Sequence, residues 1–312
     1  MSDPSTAPQR RYEHALHGIT PGWWRGAAAI VILLVLFFGI STVLGGLALA
    51  LDVFAGAITP QQLASGVVPI TPLVLLSTNL SAAAMIPIAA VLQWTFFGVR
   101  PRFLSSVQGR FRWRWLGRLS LVIVPVWIVY VGASTLLGPP GKFRVDATAL
   151  ALIAVVILTT PLQAAGEEYG LRGLVQRSVG SWFARPRTAL IVATVFSAGV
   201  FGSAHFATDP WLIAYYVTFG VALSLAAHFT GGLEAPVLIH AVNNVLLLVP
   251  AALLGQLGQG IDRSAGAGGP IILVPMAMVL LGAYLSARSA RRRGIRVVAP
   301  APPSHYDAAP VR

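Results

Sequence analysis

Eight times between residues 26 and 287 the chain stays apolar for the roughly 20 residues that a helix needs to cross a hydrocarbon core. Runs of that length can satisfy their backbone hydrogen bonds inside a membrane only as helices, so the expected fold is an all-α polytopic bundle. The spans are predicted near 26–51, 71–97, 116–137, 150–176, 188–206, 211–229, 234–254 and 270–287. Composition agrees, with 56% hydrophobic residues against 10% charged. One integral membrane domain is therefore predicted over 25–290. A short arm precedes it over 1–24, and a basic tail rich in Pro and Ala, expected to lack fixed structure, follows over 291–312.

The basic residues test that count, because Lys and Arg crowd into the cytoplasmic ends of membrane helices. With both termini inside, Arg10, Arg11 and Arg25 fall in the arm, and Arg100, Arg102, Arg110, Arg112, Arg114 and Arg118 follow the second span. Arg172, Arg177, Arg185 and Arg187 gather around the end of the fourth span, and Arg288, Arg291, Arg292, Arg293, Arg296 and Arg312 follow the eighth. Only Lys142, Arg144 and Arg263 fall on the other side. The net charge of +12 then follows from topology and from attraction to anionic lipid headgroups. No nucleic-acid-reading motif accompanies it, so nucleic acid is not an expected partner. The location expected is a cell membrane, crossed many times.

Two adjacent carboxylates, Glu167 and Glu168, lie inside the fourth apolar run in the segment GEEYGLRG. A charge at the centre of a membrane helix costs about 2.5–3.5 kcal/mol even on the lenient insertion scale, so a pair of them marks a functional site. Glu168 and Arg172 are four residues apart in the favourable acid-first order, which predicts an ion pair that neutralises one charge. Adjacent helical residues diverge by about 100°, so Glu167 points elsewhere and is the candidate reactive carboxylate. Gly166 and Gly170 form a small-xxx-small pair that would let another helix approach closely.

Polar groups able to meet those carboxylates occur in the later spans. His240 and Asn244, four apart, share one helix face and could address one substrate atom. Phe201 and His205 have the same spacing, which lets the ring pack beneath the imidazole and hold it as a base. Counting 1.5 Å per residue, Glu167 and His205 each lie 18 residues from the turn at 185–187, and His240 reaches the same level only if that hairpin protrudes. His228, near a helix end, reads as a packing histidine, and Glu234 as an interfacial charge at a helix N-terminus. The absence of cysteine excludes thiolate metal sites, a Cys nucleophile and disulfides.

Three signatures, EExxxR at 167–172, FxxxH at 201–205 and HxxxN at 240–244, together resemble the CPBP intramembrane protease family, which includes the Ras-converting CAAX endopeptidases. The resemblance covers about 147–254; the first 140 residues match only as generic membrane helices. It implies an intramembrane endopeptidase acting on a membrane-associated peptide or protein. Glu167 and His205 would activate water, Glu168 and Arg172 would hold the helix, and His240 with Asn244 would stabilise the oxyanion. It favours a metal-free glutamate mechanism with no cofactor. The rival is zinc held by Glu167, His205 and His240, a His₂Glu set with one open position, although the HExxH spacing is missing. A proton-coupled transporter or a non-catalytic scaffold would also tolerate polar groups in the membrane, but neither repeats nor broken helices are evident. The heavy use of Arg over Lys, with abundant Ala and Gly, suggests a bacterial source.

Overall fold

The computed structural model describes residues 8–308 apart from 21, 65, 67, 139 and 140; residues 1–7 of the arm and Arg312 lie outside the described residues. The helices run in the order α1 (Trp24–Phe54), α2 (Pro60–Ala64), α3 (Pro72–Ala83), α4 (Met85–Phe97), α5 (Trp113–Leu137) and α6 (Ala147–Glu168). A π-helical segment, Tyr169–Gln176, leads into α7 (Arg177–Gly180). Then follow α8 (Pro186–Ser203), α9 (Pro210–Thr230), α10 (Glu234–Leu253) and α11 (Leu273–Arg292). Among the described residues eight spans are long and apolar enough to cross a membrane: 24–54, 72–97, 113–137, 147–180, 186–203, 210–230, 234–253 and 270–292. The protein is thus an all-α, multi-pass membrane protein, and each span matches one apolar run.

Local chemistry sets where the helices start. Asp146 caps α6 by accepting from the Ala149 N–H at 2.8 Å. Asp209 caps α9, and Thr71 caps α3, each followed by a proline at the first helical position, where the missing N–H costs nothing. Much of α1 stays exposed, with Val31, Val35, Val43 and Leu47 more than half accessible, an apolar surface suited to lipid.

α6 and α10 occupy the centre. α10 packs on α6, α5 and α9, α3 packs on α6, and the α8–α9 pair closes the other side. Glycine allows the closest of these approaches. A Cβ on Gly166 would lie 2.0 Å from the Ala82 carbonyl oxygen, so α3 can seat against α6 only because this residue has no side chain. A Cβ on Gly220 would meet the Ala198 Cα at 2.7 Å, which fixes α8 against α9 in the same way.

The arginine-rich ends of the helices carry a folded cap of polar contacts. Here the structure departs from expectation twice. The tail expected to lack fixed structure is ordered as far as it is described: Val298–Ala299 pairs antiparallel with Arg10–Arg11. Ser304 Oγ donates to the Phe97 carbonyl at 2.8 Å, and Tyr306 Oη to the Thr95 carbonyl at 2.6 Å. The ends supply each other's missing partners, which composition cannot reveal. Second, Glu234 is not an interfacial charge. It is fully buried and held by Arg112, whose backbone N, Nε and Nη2 donate at 2.7, 2.9 and 2.6 Å. His228 packs as expected, with Nδ1 2.8 Å from Glu13 Oε1. Lys142, Arg144 and Arg263 all lie in loops at the opposite end of the bundle.

Candidate active site

The site forms where α6 ceases to be an ordinary α-helix. From Tyr169 to Gln176 the chain takes the wider π form, which is rare and concentrates at functional sites. Sequence spacing predicted an uninterrupted α-helix here. Gly170 and Gly173 lie within the widened turns, and the segment is buried almost throughout.

The expected ion pair spans the start of this segment. Arg172 Nη1 donates to Glu168 Oε1 at 3.0 Å, and both side chains are fully buried. Arg172 Nη2 also donates to the Gly220 carbonyl at 3.2 Å, and its guanidinium stands 4.9 Å from the Phe201 ring centroid. One arginine therefore joins α6, α8 and α9. Glu168 does more than neutralise Arg172, because its Oε1 also meets His240 Nδ1 at 2.8 Å. A carboxylate accepts, so Nδ1 carries the proton and Nε2 is the nitrogen turned to the rest of the site.

Glu167 diverges from its neighbour, with a side chain 17% exposed against none for Glu168. Its Oε2 stands 3.7 Å from His240 Nε2, longer than a hydrogen bond. Its Oε1 accepts from Gln163 Nε2. The other end of that amide, Gln163 Oε1, accepts from Asn244 Nδ2 at 3.1 Å. The adjacent Asn243 Nδ2 donates to Asn244 Oδ1 at 3.3 Å, and Trp127 Nε1 donates to Asn243 Oδ1 at 3.2 Å.

His205 lies two residues beyond the end of α8, in the turn rather than on the helix. Its Nδ1 is 2.8 Å from the Phe201 carbonyl. A carbonyl only accepts, so Nδ1 carries the proton and Nε2 keeps its lone pair. The ring stacks on Tyr216 at 3.9 Å and leans on Phe201 at 4.6 Å. Phe201 reaches His240 as well, at 5.9 Å, and Phe219 packs on both Phe201 and His240. Phe201 thus touches both imidazoles, His205 and His240. Phe206, next in the chain, takes a left-handed φ of 52°, uncommon for a residue other than glycine and characteristic of loops bearing functional groups.

The structure thus brings together all the residues singled out from sequence: Glu167, Glu168 and Arg172 from the end of α6, Phe201 and His205 from the end of α8, and His240 and Asn244 from α10. Gln163, Asn243, Trp127, Tyr216 and Phe219 were not singled out. Gln163 lies four residues before Glu167, the spacing that revealed Glu168 and Arg172, so the same rule could have found it. The arrangement offers a carboxylate and an imidazole nitrogen as proton acceptors, facing an amide N–H₂ and a second imidazole. Among the described residues no three His, Asp or Glu side chains are grouped as a metal-ligand set.

Residues 148–246 match a family model described as type II CAAX prenyl endopeptidase Rce1-like. The chain is also similar to the uncharacterized protein YyaK of Bacillus subtilis (strain 168), at 29% identity over 102 residues. That match covers 31% of this chain and 33% of the relative, so it spans about a third of the relative's length. No solved structure matches. Glu167, Glu168, Arg172, Phe201, His205, His240 and Asn244 all fall inside the segment that is similar to the type II CAAX prenyl endopeptidases.

Proposed function

We propose that the chain is an intramembrane endopeptidase that hydrolyses a peptide bond of a membrane-associated peptide or protein with water activated by Glu167 and His205. The observation that carries this reading is the meeting of Glu167, His240 and Asn244 through direct and amide-bridged contacts, with His205 seated beside them on Phe201. The Glu167 carboxylate, assisted by His205 Nε2, takes a proton from water as the oxygen adds to the scissile carbonyl carbon. With Nδ1–H given to Glu168, His240 donates through Nε2 only as the imidazolium, and in that form it and Asn244 Nδ2 are the donors for the oxyanion. As the tetrahedral intermediate collapses, the C–N bond breaks and the proton held by Glu167 passes to the departing amine. Glu168 and Arg172 do not react; they hold His240 and the widened turn in place.

The protein sits in a cell membrane with both termini cytoplasmic and its arginine-rich cap against anionic headgroups, and substrates enter from that leaflet. No nucleic acid takes part. The mechanism needs no metal. Metal analysis of the purified protein, with activity before and after chelation, decides between this and the zinc version; one zinc per chain whose removal abolishes cleavage would establish the latter. Losing one oxyanion donor costs about a hundred- to a thousandfold in rate. Asn244→Ala should lose that much cleavage while its unfolding midpoint stays near that of the parent, and an equal collapse of both would reject the assignment.

A further inference from the structure

Three carboxamides in the site, those of Gln163, Asn243 and Asn244, form a file between two groups whose hydrogen-bonding roles are fixed, with one side branch, from Asn243 Nδ2 to the Tyr215 hydroxyl at 3.5 Å. At one end the Trp127 indole N–H can only donate, and at the other an ionised Glu167 can only accept. Every link runs in the same sense: Trp127 Nε1 to Asn243 Oδ1 at 3.2 Å, Asn243 Nδ2 to Asn244 Oδ1 at 3.3 Å, Asn244 Nδ2 to Gln163 Oε1 at 3.1 Å, and Gln163 Nε2 to Glu167 Oε1.

Reversing one amide would set donor against donor or acceptor against acceptor at its links in the file. The two ends therefore decide the orientation of all three amides. The consequence falls on Asn244, whose carbonyl is turned to Asn243 and whose N–H₂ is turned toward Gln163. An N–H₂ carries two protons and only one goes to Gln163, so the second remains for an oxygen in the site.

We propose that Gln163 is a positioning residue that couples Glu167 to Asn244, holding the Asn244 amide with its N–H₂ toward the reacting centre, as the terminal link of a one-way chain that begins at Trp127. Its effect on turnover rests on the hydrolytic reading above; its effect on the Asn244 orientation does not. The chain also links the elements that must be in register, since Trp127 lies on α5, Asn243 and Asn244 on α10, and Gln163 and Glu167 on α6.

The test uses the full chain in detergent, with the Asn side-chain amides ¹⁵N-labelled and followed by NMR, and Gln163→Met and Trp127→Phe beside the parent. Gln163→Met keeps the side chain's length and removes both links; Trp127→Phe keeps the aromatic bulk and removes the fixed donor. Both should shift or broaden the Asn244 side-chain resonances, assigned by their loss in Asn244→Ala. Unmoved Asn244 resonances in both variants overturn the proposal, whether or not the chain proves to be a protease.

Where the parent yields Glu167-dependent new termini in membranes, a double-mutant cycle adds a readout that a merely structural role would not move. Gln163→Met should slow cleavage about tenfold or more in the parent and much less in an Asn244→Ala background, because the residue acts through Asn244. Equal fold-losses in the two backgrounds would overturn the coupling. Absence of any Glu167-dependent terminus would overturn the hydrolytic reading instead and leave the NMR result to decide the orientation.

Discussion

Replacing Glu234 with Leu should strip stability from the fold through Arg112, a residue 122 positions away in sequence. Glu234 Oε1 accepts from the Arg112 backbone N–H and from its Nε, and Oε2 accepts from Nη2. The side chains are 7% and 0% exposed. Removing the acid leaves a guanidinium and a backbone N–H without these acceptors, with only the Thr230 and Arg296 carbonyls, at 3.0 and 3.2 Å, left to Arg112. Breaking a buried pair from one side costs about 3–5 kcal/mol. At about 2–4 °C per kcal/mol the unfolding midpoint should fall by roughly 10 °C. Thermal unfolding in detergent, followed by tryptophan fluorescence, reads it directly. The double variant Arg112→Met with Glu234→Leu removes the stranded charge and should recover at least half the loss. A drop under about 1 °C for Glu234→Leu would refute the reasoning, since that is what an interfacial charge would give.

Other outcomes follow from the same geometry. Gly166→Ala places a methyl group 2.0 Å from a backbone oxygen that cannot rotate away, so its midpoint should fall by several degrees; Gly45→Ala on α1, with open space around it, should hold or rise slightly in the same thermal scan. Arg172→Lys should lose most cleavage, because a lysine cannot serve Glu168 and the Gly220 carbonyl together; cleavage within twofold of the parent would contradict that role. Burial acts to raise the Asp209 carboxyl, but the N–H groups of Leu212, Gly266, Gly268 and Trp211 outweigh it and hold the group below the usual carboxylate range. A depressed folded value contributes stability that is present above the unfolded value and lost as pH falls through the folded one. The gap in midpoint between the parent and Asp209→Ala should therefore be constant near neutrality and shrink below about pH 4; a gap independent of pH would count against the cap.

Most of the fold was legible because membrane spans announce themselves by length alone. The Glu168–Arg172 pair was legible from local spacing, and the facing of Glu167 and His240 from depth counted along helices. The π-helical turn was not, since Gly170 and Gly173 are equally compatible with a packed α-helix. Glu234 and the C-terminal tail were misread for a shared reason: their partners, Arg112 and the strand at Arg10–Arg11, are remote in sequence and leave no periodic trace. Gln163 and Asn243 passed unnoticed because an uncharged amide in an apolar run carries no insertion penalty large enough to demand explanation.

The most direct test of the account is mass spectrometry of protein termini in membranes from cells expressing the parent chain or Glu167→Ala at matched levels. New termini should appear with the parent and vanish with the variant, each naming a substrate and a cleaved bond. Identical profiles at good coverage would contradict it and turn the polar cluster between α6, α8 and α10 over to a transporter or a scaffold.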